Sequence, residues 1–233
     1  MTEPIRGALF DKDGTLFDFQ ATWNAWAQMT LTDLAQGDLD KAAELGTRIG
    51  YDFRGARFDP TSEVIAGTPD DIVRLLHGGV PDLSQDDLLN RINTAAMTAP
   101  QVEAVPLGPW IATLRELGLR IGVATNDAEA PARAHLASVG QEQSFDFIAG
   151  YDSGYGGKPG PGMCLGFAKA VGLDPAQVIM VGDSTHDLLA GRAAGMRTVA
   201  VLTGMAEQSD LEPHADAVLP DIGHLPDWIS GQA

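Results

Sequence analysis

Ile5-Arg6-Gly7-Ala8-Leu9-Phe10-Asp11-Lys12-Asp13-Gly14-Thr15-Leu16-Phe17-Asp18 is the stretch on which the reading of the fold turns. Its opening residues are a short, largely apolar run of buried-strand length, and it stops at two acidic residues spaced two apart. The form recurs. Residues 120–124 run into Thr125-Asn126-Asp127, and residues 178–181 into Gly182-Asp183. Three apolar runs thus each deliver polar residues at their carboxyl ends. Residues 145–149 and 198–202 are further strand candidates, and 217–219 a possible edge.

Helical spacing fills 109–117, 130–139, 161–171 and 187–194, with Gly118, Gly140, Gly172 and Gly195 placed as stops. Strand-helix alternation predicts an α/β fold, a Rossmann-like parallel sheet covered by helices. Ligands of such sheets bind outside the carboxyl ends of the strands, where the acidic residues have just been placed. Residues 19–100 break the rhythm: helical spacing covers 23–34, 39–49, 70–76 and 85–97, and no strand pattern shows. The expectation is a small all-helical cap domain at 19–100, inserted into a catalytic core of residues 1–18 and 101–233.

The chain has 233 residues and a formal net charge of −17, with only 15 Lys and Arg. That balance argues against nucleic acid, whose phosphates are bound by clustered cations. No apolar run reaches membrane-span length, and the N-terminus shows no basic-then-apolar pattern. Cys164 is the single cysteine, so neither an internal disulfide nor a multi-cysteine zinc site is available. A cytoplasmic protein is the expectation. An anionic ligand on so acidic a chain requires a metal or a few placed cations.

Asp11 and Asp13 project to the same side of an extended or tightly turning segment, so both carboxylates can face one site. Two close carboxylates either raise one pKa, which suits a general acid, or recruit a cation. Mg2+ fits, since it takes oxygen ligands and a few carboxylates. Asp183 and Asp187, four apart across the start of a helix, add further carboxylates. Lys158, in Gly156-Gly157-Lys158-Pro159-Gly160-Pro161-Gly162, supplies positive charge. Thr125 and the backbone N–H of Asn126 can donate to phosphate oxygens. Taken singly, Asp13-Gly14 also reads as a turn, Lys158 as a solvated surface lysine, and Asp183 with Asp187 as helix capping. Placed at the same ends of successive strands, they point to one site.

These four pieces and their order resemble the haloacid dehalogenase superfamily: residues 11–18 its first motif, Thr125-Asn126-Asp127 its second, Lys158-Pro159 its third, and Gly182-Asp183 with Asp187 its fourth. The resemblance covers roughly residues 5–18 and 105–225 and is phosphoglycolate-phosphatase-like in layout. It implies a Mg2+-dependent phosphatase acting on a small phosphorylated metabolite. Asp11 would form an aspartyl-phosphate, with Asp13 as acid and then base. Thr125, Asn126 and Lys158 would hold the phosphoryl group. The metal would lie on Asp11, the Asp13 backbone carbonyl and Asp183, with Asp187 supporting. Relatives that displace halide lack an acid at the Asp13 position, so its presence favours phosphate esters. Where relatives often carry an acidic residue after the Lys-Pro stretch, this chain has Gly162-Met163. A sugar-phosphate mutase of the same superfamily and a silent binding module are the alternatives.

Cys164 reads as core, His186 as a helix-start residue beside the metal site, and Trp23 and Trp26 as packing. Arg54 and Arg57 either read a substrate carboxylate or second phosphate, or lie on a solvated loop. The glycine-rich run at 154–162 is no P-loop, since Pro159 stands where Ser or Thr is needed. The cap carries no motif that names a leaving group, and nothing separates monomer from dimer.

Overall fold

The computed structural model describes residues 3–231. In chain order its elements are β1 (Gly7–Phe10), α1 (Phe19–Leu34), α2 (Leu39–Arg48), β2 (Tyr51–Asp52), β3 (Arg57–Phe58), α3 (Pro69–Leu76) and α4 (Gln85–Met97). There follow α5 (Leu107–Glu116), β4 (Arg120–Ala124), α6 (Glu129–Ser138), β5 (Phe147–Ala149), α7 (Gly162–Val171) and β6 (Val178–Gly182). The chain continues with α8 (Thr185–Ala194), β7 (Arg197–Val201), α9 (Gln208–Leu211), β8 (Ala217–Leu219) and α10 (Leu225–Ser230).

Six strands form one sheet in the order β5-β4-β1-β6-β7-β8, and every pairing in it is parallel. Both faces are buried, so the strands are apolar except at Arg120, Arg197 and Thr198 near the starts of β4 and β7, and alternate residues feed two cores. Ala8, Phe10, Ile121, Val123, Ile179 and Val181 join α5, α6 and α10 on one face. Leu9, Val178 and Met180 join α7 and α8 on the other. Gly172 and Gly195 end those two helices in the left-handed conformation, at φ 70° and 82°.

Register positions the site. Phe10 lies opposite Val123 on one side and Val181 on the other. Asp11 follows one residue later, and Thr125 and Asp183 two residues beyond Val123 and Val181, so the three emerge together at the carboxyl edge. There the chain reverses direction, having wound outward through β4 and β5 before returning to β6.

The elements α1 to α4 pack around a core of their own, from Phe19 and Trp26 to Ile92 and Ala99. The insertion is not wholly helical: β2 and β3 form a two-residue antiparallel ladder, with Tyr51 opposite Phe58 and their rings 4.7 Å apart. Two residues present no alternation, so periodicity could not reveal it. Helix α1 also begins before Trp23, because Asp18 caps it by accepting from the Ala21 N–H at 2.7 Å. The two chain crossings run side by side: the Asp18 N–H donates to Val102 O, the Ala104 N–H to Leu16 O, and Phe17 bridges Glu103 between them. Among the described residues no helix is long and apolar enough to cross a membrane.

Candidate active site

Asp11 leaves β1 with its N–H on Val181 O, which fixes its backbone against the neighbouring strand. Its carboxylate meets Lys158, whose Nζ donates to Asp11 at 2.5 Å, Asp187 at 2.6 Å and Ala124 O at 2.8 Å. All three ammonium protons are thus committed and aimed. The second oxygen of Asp187 accepts from the Ser184 N–H and hydroxyl at the start of α8, so this carboxylate ties Lys158 to a helix N-terminus. Asn126 locks the Lys158 loop from the other side: its side chain accepts from the Lys158 N–H at 2.7 Å and donates to Lys158 O and to Ala66 O of the insertion, each at 2.9 Å. That amide is fully used. Among the described residues its backbone N–H has no acceptor, which leaves it for a ligand. The Thr125 hydroxyl accepts from the Asp127 N–H and keeps its own proton to donate.

Asp183 accepts from Thr15 at 3.2 Å. Carboxylate oxygens of Asp11, Asp183 and Asp187 lie within 4.8 Å of one another, all buried. An all-oxygen, anionic donor set in a dry site fits a hard divalent cation. Asp11 and Asp183 have oxygens to offer, whereas both oxygens of Asp187 are already spent on Lys158 and Ser184. A Cβ on Gly204 or Gly14 would collide with the Asp183 carboxylate. Gly204→Ala should therefore weaken divalent-cation binding about tenfold or more, measured by titration calorimetry. Unchanged affinity would show that Asp183 does not hold the ion.

Sequence reasoning missed the second half of the site. Lys12 is wholly buried; its Nζ donates to Asp13 Oδ1 at 2.9 Å and forms an ion pair with Oδ2 at 2.7 Å. It also donates to His135 Nδ1 at 2.9 Å. Since an ammonium only donates, His135 carries its proton on Nε2, which donates to Ala96 O of α4 at 2.6 Å. Asp127 lies 3.2 Å from Lys12 as an ion pair, but at an angle that leaves its outer oxygen without a hydrogen bond. The available signals were a lysine flanked by two aspartates and a histidine beside Ala132 and Leu136 on the buried face of α6.

Burial pushes Asp11 up to about 7, against the pull of Lys158 and with the push of Asp187 and Asp13. It raises Asp127 to about 6 against Lys12, and Asp183 well above the carboxylate range, with Asp11 and Asp187 adding to the effect. Burial alone would lower Lys158 and Lys12, but their carboxylate partners outweigh it and both stand above the ordinary lysine value. With no metal bound, the folded protein therefore holds more protons than the unfolded chain between about pH 4 and 7, so stability falls as pH rises through that window. His135, lowered to about 4 by burial and by Lys12, acts in the opposite sense, as do the lowered carboxylates of Asp59, Asp71, Glu129 and Asp146 at the acidic end of the window. A divalent cation, replacing those protons, should raise Tm more at pH 7.5 than at pH 5. An equal or larger shift at pH 5 would contradict this electrostatic picture.

Remaining candidates sort by position. Arg54 and Arg57 are exposed, paired with Asp40 and Asp52, and outside the cavity at Asp11. Cys164 is core, its thiol pushed up to about 12 by burial. Trp26 is packing, its indole donating to Ile92 O. Trp23 does more than pack: with Val64, Ile65 and Ile72 it walls the cavity of about 40 Å³ over Asp11 and Asp13. His186 lies half-buried at the rim.

Residues 5–195 match the haloacid dehalogenase-like hydrolase family. Over 130 residues the chain is 37% identical to a phosphoglycolate phosphatase of Neisseria meningitidis, covering 55% of this chain and 53% of that enzyme. Thus the match spans about half the relative's length. Hexitol phosphatase B of Escherichia coli is 26% identical over 227 residues, covering 95% and 94% of the two chains. The crystal structure of a hydrolase from Pseudomonas syringae superposes with a TM-score of 0.70 at 22% identity, over 98% of this chain and 99% of that one, a likeness of fold. Sheet order, the placement of four motifs at its carboxyl edge and the length of the family match agree, and the chain belongs to the haloacid dehalogenase-like hydrolases.

Proposed function

We propose that the protein is a Mg2+-dependent phosphohydrolase that cleaves small phosphate monoesters through an aspartyl-phosphate on Asp11. The observation that carries this reading is the buried Asp11–Lys158–Asp187 ion network beside Asp183: a carboxylate held in place, with a cation aimed at the same point. Asp11 attacks phosphorus as the ester P–O bond breaks, and Asp13 gives its proton to the departing alkoxide. The Thr125 hydroxyl and the Asn126 N–H donate to the phosphoryl oxygens, and Lys158 supplies positive charge beside them, turning a proton from Asp11 to the phosphoryl group as Asp11 attacks. Water then attacks the phosphoryl group, Asp13 takes its proton, and phosphate leaves with Asp11 regenerated. Mg2+, held by Asp11, Asp183 and the Asp13 carbonyl, would neutralise phosphoryl charge and keep Asp11 ionised. Asp187 positions Lys158. The insertion at 19–100 acts as a cap, closing over the cavity and excluding water.

A phosphate-release screen over phosphorylated metabolites tests the reading, run with Mg2+ and with EDTA. Turnover of at least one ester, abolished by chelation and restored by Mg2+, is the expected result. No release from any ester, or full activity in EDTA, would overturn it.

A further inference from the structure

Three buried side-chain atoms find no hydrogen-bond partner among the described residues: Trp23 Nε1, Thr30 Oγ1 and Asp127 Oδ2. Only the last belongs to an ionisable group, for which burial without a partner costs most. Asp127 is 5% exposed. Its other oxygen, Oδ1, accepts from the Ala128 N–H at 2.8 Å, which fixes the carboxylate at the start of α6. It stands apart from the carboxylates grouped with Asp11, and the protons of Lys158 are spent elsewhere. Its ion-pair partner is Lys12, 3.2 Å away and out of line with Oδ2.

Lys12 is held by other groups. Nζ donates to Asp13 Oδ1 and to His135 Nδ1, each at 2.9 Å, and the imidazole is anchored in turn by its donation to Ala96 O. The histidine is therefore a fixed pivot, and Asp13 and Asp127 flank the ammonium as two carboxylates for a single cation. An ammonium has three protons, of which these two bonds use two. A turn of the ammonium with a small shift of Nζ brings the third into line with Oδ2.

This arrangement suits a reaction in which Asp13 changes charge. While Asp13 is a carboxylate, Lys12 pairs with it. Once Asp13 carries the proton meant for the leaving group, it no longer neutralises Lys12, and a buried ammonium without a counter-ion is strongly destabilised. Asp127 already stands beside it with the negative charge required. A looser hold from Lys12 also leaves the Asp13 carboxyl free to turn its proton towards the ester oxygen.

We propose that Asp127 is a positioning residue for proton transfer: Lys12 passes its ion pair from Asp13 to Asp127 when Asp13 is protonated, and returns when that proton has gone. This rests on the phosphohydrolase reading above, in which Asp13 is the acid. The proton moves from Asp13 to the ester oxygen, which keeps the electron pair of the broken P–O bond. Lys12 remains an ammonium throughout, and its exchange makes and breaks only hydrogen bonds.

Two readouts test the exchange. The first is kcat/KM, which covers the steps up to loss of the leaving group, for phenyl phosphate and 4-nitrophenyl phosphate with Mg2+. Phenolate leaves poorly without a proton, whereas the nitro group spreads the charge of 4-nitrophenolate and makes the proton nearly dispensable. Room for both exists in the cleft of about 990 Å³ that opens from the cavity along Ile65, Ala66 and Gly67. Asp127→Asn keeps the Oδ1 acceptor for Ala128 but offers Lys12 no charge. It should lower kcat/KM about tenfold or more for phenyl phosphate and no more than about twofold for 4-nitrophenyl phosphate. An equal loss with both esters, as a damaged fold would give, or no loss with either, overturns the proposal.

The second readout needs no turnover. In a crystal structure of Asp13→Asn, whose neutral side chain stands for the protonated acid, Lys12 Nζ should donate to Asp127 Oδ2 at about 2.8 Å. An Oδ2 still without a hydrogen bond there also overturns the proposal. Should the wild-type protein release phosphate from neither aryl ester, the Asp13→Asn structure decides the exchange, while the hydrolase reading stands or falls with the metabolite screen.

Discussion

Asp11→Asn lowers phosphate release by about four orders of magnitude or more, with no phosphorylated protein trapped by acid quench. An amide oxygen is a poor nucleophile, and it cannot hold a divalent cation as a carboxylate does. The fold should survive. Asp11 is buried beside Lys158, but Lys158 keeps Asp187 and Ala124 O, and Asn can still accept from the ammonium. Loss of a raised, metal-free carboxylate should even lift the Tm of the metal-free protein at pH 7.5. Substantial turnover by a correctly folded Asp11→Asn protein would remove Asp11 from the reaction.

Lys12→Met carries the second large effect, and it acts on both stability and rate. Methionine fills the volume but leaves Asp13, Asp127 and His135 without their shared donor, and removing one partner of a buried ion cluster costs about 3–5 kcal/mol. Because Lys12 grips both Asp13 oxygens, its loss frees the proton-transfer group to rotate. A misplacement of that kind lowers kcat about a hundredfold. KM should change little, because Lys12 does not line the cavity. Adding Asp127→Asn removes one orphaned charge and should recover part of the stability without recovering kcat. Denaturant unfolding and steady-state kinetics on the single and double variants separate the two effects. Wild-type stability and kcat in Lys12→Met would show the cluster to be inert.

The sheet was legible because its strands are largely apolar runs, and β1, β4 and β6 stop at Asp11, Thr125 and Asp183; residues 120–124 and 217–219 were bounded to the residue. Helix ends were legible where glycine takes a left-handed conformation that other residues resist. The site was legible as a set of strand ends, because parallel pairing puts the carboxyl ends of β1, β4 and β6 on one edge, where the structure aligns Phe10 with Val123 and Val181. What escaped notice depends on contacts between distant residues. Nothing local tells a buried lysine from a solvated one, and the His135 that marks Lys12 as buried lies 123 positions away. Asp18 looked like the tail of a motif and is a helix cap. Trp23 read as packing, which is true of most of its ring. Its unused N–H is visible only once neighbouring side chains are placed.

The paired crossings at Leu16–Asp18 and Val102–Ala104 bear on how the insertion can travel. Two separate tethers would permit twisting and sliding as well as tilting. Two strands zipped by flanking hydrogen bonds behave as a ribbon, compliant to bending across its plane and stiff to shear within it. Movement of the proposed cap, residues 19–100, would thus have in effect a single rotational coordinate, and each return would bring Trp23 and the Ala66 carbonyl back to the same registration over Asp11 and Asn126.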